Sequence, residues 1–281
     1  MKIIECPRDA MQGLTEFIPT DTKVTYLNQL LKVGFDTVDF GSFVSPKAIP
    51  QMRDTAEVLN RLDRSSTQSK LLAIVANVRG AQEACEFEAI QYLGFPLSIS
   101  ETFQQRNTNK SIPEALNTVN EIQELCTRFN KQQVVYISMG FGNPYGDPYD
   151  LGIVEKFTDI LVTLQVPIIS LADTIGVAQP NQIESLFKSL IRKFPAVEFG
   201  AHLHSNPMTS LAKIEAAFNS GCQRFDGAIK GFGGCPMAKD ELVGNMATET
   251  ILRFLDSKQA APELNRQEFA HALLMAEKVF T

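Results

Sequence analysis

Apolar, β-rich runs alternate with amphipathic helical patterns along the whole of this 281-residue chain. That alternation restricts the fold to a parallel sheet whose strands are joined by crossover helices. Strand patterns begin at Ile3, Thr37, Leu71, Ile90, Val134, Ile168, Glu198 and Phe225, eight in all. Eight β/α units fill a barrel of roughly 250 residues. The expectation is therefore a (β/α)8 TIM barrel, one domain over residues 1–281, with additional C-terminal helices from about 242 to 281. An open, doubly wound sheet uses the same alternation, but eight units in this length favour closure.

Between the strand patterns lie helical stripes. Val24, Leu27 and Leu31 follow Thr20-Asp21, a candidate N-cap, and stop at Gly34, a candidate C′ residue. Leu116, Val119, Ile122 and Leu125 follow Ser111-Ile112-Pro113-Glu114, which has the Ser-x-x-Glu form of a capping box. Further helical patterns cover about 50–62, 80–87, 150–164, 180–193, 207–220, 242–256 and 264–279.

A net charge of −6 and a pI near 5.2 provide no field that would gather a polyanion, so nucleic acid is not an expected partner. A phosphorylated small ligand is compatible, since a few local cations or helix N-termini hold phosphate. The amino terminus is broken by Arg8 and Asp9 before any signal-peptide core forms, and no stretch approaches a membrane span of about 18 apolar residues. Cytoplasmic residence, without a membrane partner, is the expectation. There the five scattered cysteines, Cys6, Cys85, Cys126, Cys222 and Cys235, are expected to be reduced.

The site of a barrel enzyme is built by the loops at the C-terminal ends of its strands. Arg8-Asp9 follows the first strand pattern, Asp39 and Ser42 end the second, and Asp173-Thr174 ends the sixth. His202 and His204 end the seventh, and Gly233-Gly234-Cys235-Pro236 and Asn245 follow the eighth. Two histidines two residues apart on a strand project to the same face. With Asp9 and Asn245 as oxygen ligands they suit a six-coordinate Mg²⁺ or Mn²⁺ with positions open to substrate.

A lone His-x-His is more often a hydrogen-bonded core pair, and it is strand position and the waiting carboxylate that favour the metal. Arg8 beside Asp9 reads either as a local ion pair or as a cation facing a developing enolate. Asp39 and Asp173 read either as helix caps or as groups orienting a ligand from behind. Cys235 reads from spacing as an inert thiol, with proton donation as the alternative.

These residues sit in PRDAMQG (7–13), GSFVSPKAIPQM (41–52), SLADTIGV (170–177), AHLH (201–204), GFGGCPMA (231–238) and GNMATE (244–249). In that order they strongly resemble the 3-hydroxy-3-methylglutaryl-CoA lyases of the DRE-TIM metallolyase superfamily. The resemblance implies Asp9, His202, His204 and Asn245 as metal ligands. It implies Arg8 and Cys235 as catalytic groups, Asp39 in place of the family's glutamate behind His202 as base, and Gln12, Ser42, Asp173 and Thr174 near the substrate. The implied reaction is metal-dependent retro-Claisen cleavage of an acyl-CoA, linked to leucine degradation, in a homodimer. The chain departs from the pattern at Ser205, at Thr15 and in one extra residue between Cys235 and Asn245. A related aldolase or acyl-CoA-dependent synthase, or a non-catalytic CoA-binding barrel, remains the alternative.

Overall fold

The structure is a computed structural model that describes residues 1–234 and 243–280. Eight strands, β1 (Lys2–Glu5), β2 (Thr37–Ser42), β3 (Lys70–Ile74), β4 (Ile90–Ser98), β5 (Gln132–Ser138), β6 (Ile168–Asp173), β7 (Glu198–Leu203) and β8 (Arg224–Gly227), form a closed parallel barrel in chain order. Closure comes from β1 against β8, with Lys2 opposite Arg224 and Glu5 opposite Gly227. The expected barrel is therefore present, and each strand starts within two residues of its sequence pattern.

The outer layer comprises α1 (Pro7–Gln12), α2 (Thr20–Val33), α3 (Thr55–Asn60), α4 (Val78–Cys85), α5 (Glu101–Thr108), α6 (Ile112–Arg128), α7 (Leu151–Thr163), α8 (Pro180–Lys193), α9 (Ser210–Asn219), α10 (Thr248–Ser257) and α11 (Arg266–Phe280). The capping box of α6 forms as expected, Ser111 accepting from the Glu114 amide while the Glu114 carboxylate accepts from Ser111 N. Gly34 closes α2 with φ of 88°, a left-handed conformation that a side chain resists.

The other end of α2 differs from expectation. Thr20 is the first helical residue, its hydroxyl donates to Asp54 at 2.8 Å, and no side chain caps the helix. The pattern at 50–62 resolves into a 3-10 turn at Pro50–Met52 followed by α3.

Two helices were not legible as periodic patterns. α1 is six residues long, too short to show a stripe, and α5 (ETFQQRNT) has a single large apolar residue, Phe103, to bury. Ser100 starts α5 by accepting from the Phe103 amide. At the C-terminal end, α10 follows β8 as the last helix of the ring, while α11 packs along α2, where Phe280 meets Tyr26 edge-on and Gln29 bonds Glu268.

One buried apolar cluster between strands and helices runs in sequence from Ile3 to Ala276. A second and smaller one, Leu72, Tyr92, Val134, Tyr136 and Ile168, fills the barrel interior. This apolar cluster shares the interior with the buried Arg224 at the start of β8, and the polar residues of the site take the inward positions nearer the strands' C-terminal ends. No described helix is long and apolar enough to cross a membrane.

Candidate active site

At the C-terminal mouth of the barrel a cavity of about 460 Å³ is lined by residues of strands β2 to β7 and of the loops after β1, β2, β3, β4, β6 and β7. Its polar wall starts with α1. Pro7 at the first turn sets the helix immediately after β1, so Arg8 and Asp9 are delivered at the strand's end and both are buried.

Arg8 is gripped from two sides. Its Nη2 and Nε donate to Asp39 Oδ2 at 2.6 and 3.0 Å, and its Nη1 donates to Asp9 Oδ1 at 3.0 Å and to Gln12 Oε1 at 2.9 Å. Burial works against the guanidinium charge, but Asp39 and Asp9 outweigh it and raise the Arg8 pKa further. The result is a fixed cation with one face on the cavity.

His202 stands at the fifth position of β7 and His204 one residue past its end. Their Nε2 atoms approach to 3.3 Å. Together with an Asp9 carboxylate oxygen they form a group whose ligand atoms all lie within 4.8 Å of one another. Asn245 completes the arrangement, since the bridge between residues 204 and 245 holds it beside His204 and its Nδ2 donates to Asp9 Oδ2 at 2.7 Å and to the Phe232 carbonyl at 2.9 Å. The lone pairs left on Asn245 are those of Oδ1.

The electrostatics suit a cation. Burial opposes ionisation of Asp9, yet Arg8, His202 and His204 hold its pKa below the usual carboxylate value. Burial, and then His202, push His204 down to about 4, so near neutrality it carries a lone pair rather than a charge. Two imidazoles, one carboxylate and one amide oxygen, with no thiolate, fit Mg²⁺ or Mn²⁺ better than structural zinc.

His202 is set by Asp226, whose Oδ2 lies 3.1 Å from Nδ1. Burial disfavours charge on this ring, but the Asp226 hydrogen bond and charge, with Asp9 beyond, raise its pKa above the ordinary value. Here the structure corrects the sequence reading. The carboxylate behind His202 is Asp226, and Asp39 instead anchors Arg8. Register supplies the reason: Gly200 pairs with Arg224 and Ala201 with Phe225, so residue 226 falls beside 202. An acidic residue in the last strand pattern was the available signal.

Gln12, Ser42 and Thr174 line the cavity. Asp173 does not. Its carboxylate accepts from the Val177 and Ala178 amides and, at 2.6 Å, from the buried Lys213 ammonium. Lys213 also donates to the His204 and Gly176 carbonyls, both at 2.9 Å, tying the β6 and β7 loops together. Asp173 therefore caps the chain entering α8 and braces the site from outside it. Lys213 was missed because a lysine in a helical pattern reads as solvent-facing. Tyr136, whose ring meets His202 edge-on at 5.4 Å, was missed because an inward aromatic reads as core. Cys235 lies outside the described residues.

The HMGL-like family model matches residues 2–275. The chain belongs to the HMGL-like family. It is 33% identical over 272 residues to hydroxymethylglutaryl-CoA lyase YngG of Bacillus subtilis, covering 97% of this chain and 90% of that one. It is 32% identical over 257 residues to the cytoplasmic 3-hydroxy-3-methylglutaryl-CoA lyase of Rattus norvegicus, covering 91% and 74%. An HMG-CoA lyase from Acinetobacter baumannii, solved with coenzyme A and 3-methylmalate, superposes with a TM-score of 0.92 at 28% identity, covering 100% of this HMGL-like chain and 91% of the other.

Proposed function

We propose that this chain cleaves 3-hydroxy-3-methylglutaryl-CoA to acetoacetate and acetyl-CoA, dependent on Mg²⁺ or Mn²⁺. The observation that carries the reading is the convergence of Asp9, His202 and His204 within 4.8 Å on a cavity that also presents the fixed Arg8 cation. The names of the relatives supply the substrate, and a solved neighbour that holds coenzyme A supports an acyl-CoA partner.

Asp9, His202, His204 and Asn245 would hold the cation. When bound it acts as a Lewis acid toward the substrate's tertiary hydroxyl and carboxylate, lowering the hydroxyl pKa. His202 has one nitrogen to offer, because Nδ1 is committed to Asp226. Nε2, with its single lone pair, would either ligate the cation or, when not ligated, accept the hydroxyl proton. Loss of that proton lets the hydroxyl carbon become the ketone of acetoacetate as the carbon–carbon bond breaks.

The electron pair moves onto the thioester oxygen, where Arg8, already held by Asp39, stabilises it without reorganising. Cys235 then gives its thiol proton to the acetyl carbon, and the proton taken by the base restores the thiol. Gln12, Ser42 and Thr174 orient the acyl unit from the cavity wall. Across the barrel, at the β4 end, Arg106 and Lys110 of the same cavity offer cations to the CoA phosphates. Cytoplasmic residence, which the name of the rat relative carries, completes the reading, and a homodimer and a place in leucine degradation are added to it by family analogy alone.

The decisive assay follows acetoacetate release after chelation and re-addition of Mg²⁺ or Mn²⁺. Activity that is lost on chelation and restored by the metal is expected. Cleavage of a 2-oxo acid in its place points to the aldolase alternative, and CoA binding without turnover to the non-catalytic one.

A further inference from the structure

Arg224 is the largest fully buried side chain among the described residues, and it lies in the barrel interior one inward position below Asp226 on β8. Ser170, Gly200 and Arg224 are register neighbours on β6, β7 and β8. Gly200 lets the two side chains close over it: a Cβ there would sit 3.0 Å from Ser170 Oγ and 3.1 Å from Arg224 Cδ. The guanidinium lies over the Tyr92 ring at 5.6 Å, and only Nη1 has a protein acceptor, Glu198 Oε1 at 3.3 Å.

Four atoms in this layer and at the inward position above it have no protein partner among the described residues: Arg224 Nε and Nη2, Ser170 Oγ, and Asp226 Oδ1. Each is buried. They comprise a charged donor, a hydroxyl that both donates and accepts, and a carboxylate acceptor, which is the complement that two to four hydrogen bonds of an enclosed water require. Buried polar atoms left over by the protein are satisfied by ordered water in native structures. The other oxygen of Asp226 is the one bonded to His202.

We propose that Arg224 is a positioning residue for the metal site: with Ser170 it holds ordered water against Asp226 Oδ1, fixing the carboxylate that orients His202. The proposal rests on the functional reading above. It assigns a role in the site to a cation below it that reaches neither substrate nor metal. Water at this position transmits the orientation of Arg224 to Nε2 of His202 through two hydrogen-bonded groups, the way partners behind a metal ligand set its geometry.

Calorimetric titration of the full chain with Mn²⁺, for wild type and for Arg224→Met, Arg224→Lys and Ser170→Ala, tests it. Arg224→Met, similar in length and uncharged, is expected to weaken Mn²⁺ binding about tenfold or more. Arg224→Lys, which keeps the charge and donors, is expected to recover most of that affinity. Ser170→Ala removes one hydroxyl without threatening the fold and is expected to cost about threefold.

A purely structural Arg224 would change the melting temperature of Arg224→Met and leave Mn²⁺ affinity where it was, and that result overturns the proposal. If Arg224→Met does not fold, an unchanged affinity in Ser170→Ala has the same force. Wild type that binds no Mn²⁺ overturns both this inference and the functional reading, whereas wild-type binding matched by every variant overturns this inference alone.

Discussion

Nδ1 of His202 and Oδ2 of Asp226 lie 3.1 Å apart across neighbouring strands of the barrel, and this contact decides which histidine nitrogen faces the cavity. A carboxylate acceptor keeps the proton on Nδ1 and leaves the Nε2 lone pair for a cation or a proton. Asp226→Asn places an amide where the carboxylate was and permits the opposite tautomer. Mn²⁺ affinity is expected to fall by about 10- to 100-fold, read by calorimetry; equal affinity in the mutant would show that the contact does not set the tautomer.

The same contact predicts a pH dependence for metal binding. Asp226 raises the His202 pKa above the ordinary value near 6.5 despite burial, while His204 is held near 4. His204 is thus unprotonated throughout the neutral range, and His202 must shed a proton before its ring can ligate. Mn²⁺ affinity is expected to increase with pH through and above 6.5 and then level off, with about one proton released per ion below the plateau. Titrations in buffers of different ionisation enthalpy count that proton, and an affinity constant from pH 6 to 8 would contradict the assignment.

Arg8 owes its fixed orientation to the two-pronged contact with Asp39. Arg8→Lys keeps a charge but loses the fork, so the cation no longer sits where the enolate oxygen develops. Turnover is expected to fall by roughly 10²- to 10³-fold, with KM affected far less. Steady-state kinetics separate the two, and a mutant in which KM alone moves would place Arg8 in ground-state binding.

Lys213 is 2% exposed and each of its three bonds ends on a group of the β6 or β7 loop. Lys213→Met strands the Asp173 carboxylate in the interior, an expected loss of about 3–5 kcal/mol by urea unfolding. The double change Lys213→Met, Asp173→Asn removes the stranded charge and is expected to regain part of that loss. If the single variant is as stable as wild type, the buried pair is not what holds the two loops.

Glu5 faces away from the site and is fully buried, accepting from the Ile229 amide at 2.9 Å and the Thr248 hydroxyl at 2.6 Å. Burial, opposed by those bonds, pushes its pKa up to about 8. A raised carboxyl pKa contributes stability that is complete below the unfolded value near 4.5 and is lost as pH rises through 8. Glu5→Gln, always neutral, is therefore expected to gain on wild type between pH 5 and pH 9, on the order of 2 kcal/mol. Parallel pH profiles for the two proteins would mean that Glu5 does not fold in its neutral form.

How far the chain could be read without coordinates depends on the range of the interaction concerned. The period-two and period-3.6 patterns are local, and they placed the eight strands and the long helices, including the α6 cap at Ser111 and the Gly34 stop. Short or polar helices leave no such pattern, so α1 and α5 emerged only when the barrel supplied surfaces for Pro7 and Phe103 to pack on.

The site divides along the same line. Strand ends marked by Arg8, Asp9, His202 and His204 were visible in the linear sequence, because β alternation alone aims residues 202 and 204 to one face. What those groups are bonded to was settled by closure. Bringing β8 beside both β7 and β1 put Asp226, 24 positions away in sequence, against His202, and left Asp39 to Arg8. Asp173 turned from the cavity to Lys213 for the same reason. Local backbone geometry fixes where a side chain points, but the partner of a buried charge is whichever complementary group the distant parts of the chain bring within about 3 Å of it.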